Sequence, residues 1–345
     1  MPNVAHNFGL VLFNDEGERV GTAALNVDWE PAVECARFYS LRRGELPWAD
    51  VGGAISILPL WDHSAGEPCC RGFRVAIARA DQSPCVSDFR NEYFRRLAAQ
   101  AAGRFVESGL LAKGEVFRYV VVALEVENDP AAAESSGLAV AERTPTLDLL
   151  ESSLSAWQSQ AKGVGFVDTD DMPLFCPQSV LDQVAEQTLA HRGKETGGVL
   201  IGRLHRDQSL PEIFAEVTAQ IPAEHTRGDA VKLTFTAETW VAVNAAIKLR
   251  NRSEIYLGYW HSHPVFEWCK SRGCSLEKQS VCKLAKDFFS ADDEALLRAV
   301  FPRGHSVALV ANDTAFQGLS FSWFGWREGA VHPRGFYLKA DNHAA

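Results

Sequence analysis

Along the first third of the chain, short apolar runs alternate with turn-forming residues. "FGLVLFNDEGERVGTAAL" reads as two strands joined by a hairpin turn around Asp15 to Gly17, and "AISILPLW", "FRVAIARA" and "YVVVALEVE" read as further strands. Between the last two, "SDFRNEYFRRLAAQAAGRFVESGLL" spaces its apolar residues at helical intervals, with Ser87 as the predicted N-cap. The mixture predicts an α+β domain over residues 1–128. Within it, Asp62-His63 and Cys69-Cys70 have no partners at a recognisable spacing and are read as structural or loop residues.

The pattern fades over 129–169, where "NDPAAAESSGLAVAERTPT" shifts toward Ala, Ser, Glu and Thr, the composition of a solvated connector. A domain boundary is predicted there, interrupted by an amphipathic helical turn or two around "LDLLESSLSAW". From 170 to 340 periodicity returns. "SVLDQVAEQTLAHRGKE" predicts a helix with Val180, Leu181, Val184 and Leu189 as core positions, ending near Gly193. "TGGVLIGRL", "EIFAEVTAQI" and "KLTFTAETW" follow as strand candidates, then "ETWVAVNAAIKLRN" as a helix and "EIYLGYWHSH" as a strand. The second domain is thus predicted as mixed α/β.

Composition narrows this picture. A chain of 345 residues suits two domains that each bury a core without staples, so disulfides are not required. The formal net charge of -10 argues against a phosphate-backbone binder and hence against nucleic acid as a partner. The opening "MPNVAHNFGLVLFNDEGERV" lacks the pattern of a secretory signal, and no apolar run approaches the roughly 20 residues of a membrane span. The expectation is a cytoplasmic protein with no membrane partner. Its eight cysteines are then expected as reduced thiols, packed as small apolar groups or bound to metal.

The chemistry centres on "GYWHSHPVFEWC". In a strand, residues i and i+2 share a face, so His261 and His263 present two imidazoles together while Ser262 points away. Taken alone, the pair reads as two half-buried, hydrogen-bonded histidines. Two further elements change that reading. Glu195 opens "ETGGVLIG", where paired glycines allow close backbone packing and leave a carboxylate at the start of a buried strand. Downstream, "FFSADDEALLRAVFP" places Ser290 three residues before Asp293 at the head of a helix. A catalytic zinc takes three N or O ligands and keeps a fourth position open, and two histidines plus Asp293 would supply those three.

The ordered set Glu195-Thr196-Gly197-Gly198, His261-Ser262-His263-Pro264 and Ser290-Ala291-Asp292-Asp293 resembles the JAMM (MPN-plus) zinc metalloproteases, over roughly residues 170–340. The resemblance implies a cytidine-deaminase-like mixed sheet flanked by helices. It implies zinc on His261, His263 and Asp293, with Glu195 moving the proton of the attacking water to the leaving amine. By the same resemblance Ser290 donates a hydrogen bond to the oxyanion, a contribution of about 3 to 4 kcal/mol when preorganised. The implied reaction is cleavage after the C-terminal glycine of a ubiquitin-like modifier, with that protein or its conjugate and E1/E2-like conjugation enzymes as partners. Bacterial members of the family stand beside such enzymes, some in antiviral defence. The rival readings are a non-catalytic MPN scaffold and a protease that processes a ubiquitin-like precursor or a sulfur-carrier protein.

One departure stands out. In the family the aspartate follows closely on the second histidine, whereas here an insertion, 265–289, intervenes. Asp292, Asp287 and Glu277 become rival ligands, but only Asp293 has a serine three residues before it. Ser290 and Asp293 also fit a capping box, and both roles can hold together. The insertion carries Cys269, Cys274 and Cys282 beside five basic residues. These thiols are candidates for a second, structural zinc with a fourth ligand such as Cys176. The alternative is a helical lid, bordering the substrate groove, whose cysteines are packed or exposed.

Overall fold

A computed structural model describes residues 3–4, 6–63, 69–80, 83–125, 147–223, 235–280, 282, 288–314 and 318–340. The chain divides into two units: Met1–Pro145 with Glu328–Ala330, and Thr146–Arg327 with Val331–Ala345. Both are mixed α/β, with sheets flanked by helices. Among the described residues, no helix is long and apolar enough to cross a membrane.

The first unit runs β1 (Asn3–Val4), β2 (His6–Phe13), β3 (Arg19–Ala24), α1 (Glu30–Arg42), β4 (Ile55–Asp62), β5 (Cys69–Ile77), β6 (Cys85–Arg90), α2 (Arg95–Glu107) and β7 (Arg118–Glu125). Its sheet has the order β1-β4-β5-β7-β2-β3, with β6 on β5. The hairpin at Asp15 to Gly17 joins β2 to β3, and Gly17 takes the positive φ that the turn needs. One expectation changes here. Ser87 is not a helix cap: it lies in β6 opposite Val75, and α2 starts later, after Phe94, with no side-chain cap. Helix α1 is not visible in the sequence periodicity because it is buried on nearly every side, its polar Glu34, Ser40 and Arg42 included, so no face is marked.

The second unit contains β8 (Leu149–Ser152), α3 (Leu154–Ser159), β9 (Ala161–Val164), β10 (Leu174–Pro177), α4 (Gln178–Ala190), β11 (Gly197–Asp207), β12 (Ile213–Pro222), α5 (Ala237–Arg250), β13 (Ile255–His263), α6 (Val265–Ser271), α7 (Leu276–Ser280), α8 (Ala291–Val300), β14 (Val307–Thr314), β15 (Gly318–Arg327), β16 (Ala330–Arg334) and β17 (Phe336–Lys339). The sheet order is β16-β15-β14-β13-β11-β12-β10-β17-β9, with β8 on the far half of β11. Strand β11 is central and almost wholly buried, which explains its unbroken apolar run.

The connector expected over 129–169 is shorter than its composition suggests. Its first part, to 146, lies outside the described residues, but β8, α3 and β9 are ordered parts of the second unit. There Ser153 caps α3, Asp207 accepts the Leu154 amide at 2.5 Å, and Trp157 packs on Phe175 and Phe214. Helix α4 matches its expected span, yet Leu189 is 48% exposed and Thr188 takes the inward place, its hydroxyl donating to the Val184 carbonyl. Of the expected strand "KLTFTAETW", residues 232–234 lie outside the described set, and the rest is the lead into α5, not a strand.

Candidate functional site

The site is assembled where β11 and β13 end. Gly197 pairs with His261 and Gly198 with Trp260. No side chain fits at Gly198, since a Cβ would lie 2.4 Å from the Ile221 carbonyl oxygen and 2.5 Å from Trp260 Nε1. The strands can therefore approach closely, and Glu195 is left half-buried just before β11.

His261 and His263 are both 2% exposed and share the face of β13 expected from their spacing. Helix α8 brings the third group. Ser290 Oγ accepts from the Asp293 amide at 3.1 Å and Asp293 Oδ2 accepts from the Ser290 amide at 2.8 Å, a reciprocal capping box that fixes the first turn. The Tyr259 hydroxyl, buried beneath His261, donates to the Asp293 carbonyl at 2.9 Å and ties that turn to β13.

These restraints bring His261 Nε2, His263 Nε2 and the Asp293 carboxylate together, all within 4.8 Å of one another. The separations are 2.9 Å between the imidazole nitrogens, 3.1 Å from His261 Nε2 to Asp293 Oδ1 and 3.5 Å from His263 Nε2 to Asp293 Oδ2. Tetrahedral zinc with bonds near 2.0 to 2.1 Å sets its ligand atoms about 3.3 Å apart, so the three donors already stand close to that spacing. Burial pushes His263 below its ordinary pKa, against the opposing pull of Asp293, which favours the neutral ring that a metal requires. Burial works to raise the Asp293 carboxyl, but the two imidazoles outweigh it and hold it well below the usual carboxylate range. The residues present fit a zinc ion.

Of the rival ligands, Asp292 is exposed on α8 and Glu277 is exposed on α7, whereas Asp287 lies outside the described residues. The thiols of the insertion lie near one another, with Cys282 and Cys274 both acting on Cys269. Cys269 and Cys282 Sγ stand 3.8 Å apart, but among the described residues only the His261, His263 and Asp293 group has three or more donors converging within 4.8 Å. Cys176 is buried on β10 with its thiol turned to the Pro177 carbonyl. Burial first, and then Cys282 and Cys274, push the Cys269 thiol up to about 11, so it is a neutral thiol at pH 7.

A pocket of about 660 Å3 opens over the three donors, and Glu195, Ser290 and Asp293 all border it. The insertion supplies part of its wall as α6, which follows His263 after one proline. Trp268 of α6 and Phe288 flank the His263 ring at 5.2 and 5.5 Å between centroids. Such walls exclude water and strengthen the electrostatics inside.

With this geometry in place, comparison with known proteins finds similarity over one segment of the chain. Residues 177–267 match the prokaryotic homologs of the JAB domain. The JAB-like segment takes in α4, Glu195, both histidines and the start of α6, and it ends before Ser290 and Asp293. That family includes zinc isopeptidases and also members without catalytic activity. No curated protein matches the chain at a significant level. Among solved structures, the solution structure of protein DSY2949 from Desulfitobacterium hafniense aligns with 50% of this chain and 97% of its own, at 18% identity and a TM-score of 0.34.

Sequence reasoning missed the side chains that hold this JAB-like site together. Ser262, on the face opposite the histidines, accepts from the Thr196 amide at 2.9 Å, while its own amide donates to the Thr196 carbonyl at 2.7 Å. Arg192 grips the buried Asp313 through two hydrogen bonds of 2.7 and 3.0 Å. The segment 192–196 carrying Glu195 is thus pinned on both sides. The alternation of β13 places Ser262 opposite the histidines, but only the fold shows what it meets.

Proposed function

We propose that the second unit is a zinc-dependent peptidase or isopeptidase that cleaves after the C-terminal glycine of a ubiquitin-like modifier. The observation that carries this reading is the convergence of His261, His263 and Asp293 within 4.8 Å on the floor of a pocket that Glu195 also borders. His261, His263 and Asp293 hold the metal. When bound, zinc supplies a Lewis acid that lowers the pKa of water toward neutrality and polarises a carbonyl.

The chain's own residues do the rest. Glu195, half-buried at the pocket edge, accepts the proton of the attacking water and returns it to the leaving amine. Ser290 Oγ accepts from the Asp293 amide, so its own proton stays available to donate to the oxyanion. The cap and the oxyanion donor are compatible roles of one hydroxyl. The modifier, its conjugating enzymes and a place in bacterial antiviral defence follow from the resemblance of the motifs.

The test pairs zinc content with cleavage of a ubiquitin-like protein fused to a short C-terminal extension, and of a lysine-linked conjugate. Wild type is expected to hold zinc and cleave, Glu195→Gln to hold zinc without cleaving, and Asp293→Ala to lose the metal. A Glu195→Gln protein of full activity removes Glu195 from the mechanism. Absence of zinc from wild type, with no cleavage, puts the non-catalytic scaffold in its place.

A further inference from the structure

Strand β14 runs parallel to β13 and places Asn312 directly opposite His263. Paired residues of neighbouring strands project to the same side of a sheet, so the Asn312 side chain stands on the face that carries the histidines. Asn312 is fully buried. Its amide nitrogen is used, donating to Ser322 Oγ at 3.4 Å, but its Oδ1 makes no hydrogen bond within the site as it stands. Opposite it, His263 Nδ1 is likewise buried and without a partner.

Two complementary orphans side by side in a dry interior are costly, at about 1 to 3 kcal/mol for each unsatisfied group, and a small movement that joins them removes both costs.

We infer that Asn312 is a positioning residue for the metal site: its Oδ1 accepts from His263 Nδ1–H and so fixes the tautomer whose Nε2 lone pair faces His261 and Asp293. The contact between the two Nε2 atoms is consistent, because at 2.9 Å one must donate and the other accept. With its proton on Nδ1, His263 is the acceptor and His261 the donor in the metal-free state. A ligating histidine whose other nitrogen is held by an acceptor is a better ligand, and loss of such a partner costs about 10- to 100-fold in metal affinity. The Asn312 amide nitrogen donates to Ser322 Oγ, so the side chain cannot flip to offer the ring an N–H without losing that bond.

This inference rests on the metal reading above, and the experiment separates the two. In metal-free full chain labelled with nitrogen-15 in histidine, long-range proton–nitrogen correlation at pH 7.5, assigned with a His263→Asn spectrum, is expected to show protonated Nδ1 and bare Nε2 for His263. Zinc alone is then titrated, in competition with a chromophoric chelator, into wild type, Asn312→Leu and Asn312→Asp. The leucine variant is expected to bind about 10- to 100-fold more weakly, and the aspartate variant, which restores an acceptor, to stay within about threefold of wild type. Bare Nδ1 in wild type, or a folded Asn312→Leu protein with unchanged zinc affinity, overturns the role of Asn312. If Asn312→Leu does not fold, the wild-type tautomer and the aspartate variant decide the question. A wild type that takes up no zinc ends the metal reading, while its His263 tautomer still reports on Asn312.

Discussion

Replacing Ser262 by alanine should separate positioning from metal binding. Its hydroxyl faces away from the imidazoles and holds the Thr196 amide at 2.9 Å, with a weaker 3.5 Å contact to the Lys194 carbonyl. Removing the hydroxyl takes away one good hydrogen bond, about 1 kcal/mol net, and leaves a half-buried amide unsatisfied, for a total of about 1.5 to 2 kcal/mol. In a unit of this size that lowers the melting temperature by roughly 3 to 8 °C. The zinc donors lie on the other face and should bind zinc within about twofold of wild type. The segment carrying Glu195 keeps the Ser262 amide to Thr196 carbonyl bond at 2.7 Å and the Arg192–Asp313 pair but loses the hydroxyl that holds the Thr196 amide, and a displacement near 1 Å of such a group costs up to about 100-fold in turnover. The assay is kcat/KM on the ubiquitin-like fusion beside zinc content and thermal melting, with Ser262→Thr as the hydroxyl-retaining control. A folded, zinc-loaded Ser262→Ala protein that turns over within about twofold of wild type would refute the idea that Ser262 places the Glu195 segment.

Two other expectations concern stability. His305 is 4% exposed, and burial, with the Arg303 charge adding to it, pushes it down to about 4, so below its ordinary value near 6.5 the unfolded chain takes a proton that the folded chain refuses. Stability should therefore fall as pH drops from about 6.5 to about 4, by roughly 3 kcal/mol from this group, and level off below. Urea midpoints for wild type and His305→Asn across that range measure the difference, and equal slopes would dismiss it. Gly198→Ala should lower the unfolding free energy read from urea melts by about 1 to 3 kcal/mol or more, because its Cβ meets a backbone oxygen and the Trp260 ring that hydrogen-bonds Gln220. An unchanged midpoint would mean that β11 and β12 can part at no cost.

The donors of the candidate site were legible because each obeys a local rule. Strand alternation puts His261 and His263 on one face, Ser-x-x-Asp marks a helix start, and paired glycines mark a tight strand. What orients them was not legible. Ser262, Tyr259, Asp313 and Asn312 act across tens of residues, and nothing in their immediate sequence names a partner. Local signals also misled. Ser87 looks like a cap yet lies in β6, because the β5–β6 ladder outweighed its capping preference. The stretch from Leu149 to Val164 looks like linker because its strands are short, but the β8 and β9 ladders and the Trp157 cluster order it. Burial on nearly every side, polar residues included, hid α1, which no single stripe could reveal.

Strands β13 and β14 are parallel neighbours, so the chain between them must cross from one end of the sheet to the other. His263 stands where that crossing begins, while Ser290 and Asp293 sit at the head of α8 further along it, and each is anchored to a rigid element. The crossing therefore runs between two fixed posts. The entropy of closing such a loop grows only with the logarithm of its length, about 0.6 kcal/mol per doubling. The crossing can be lengthened, shortened or re-equipped with new walls at small thermodynamic expense while the donors keep their places. Selectivity for what enters the pocket and the chemistry on its floor can thus change independently, one by insertion and the other only by substitution.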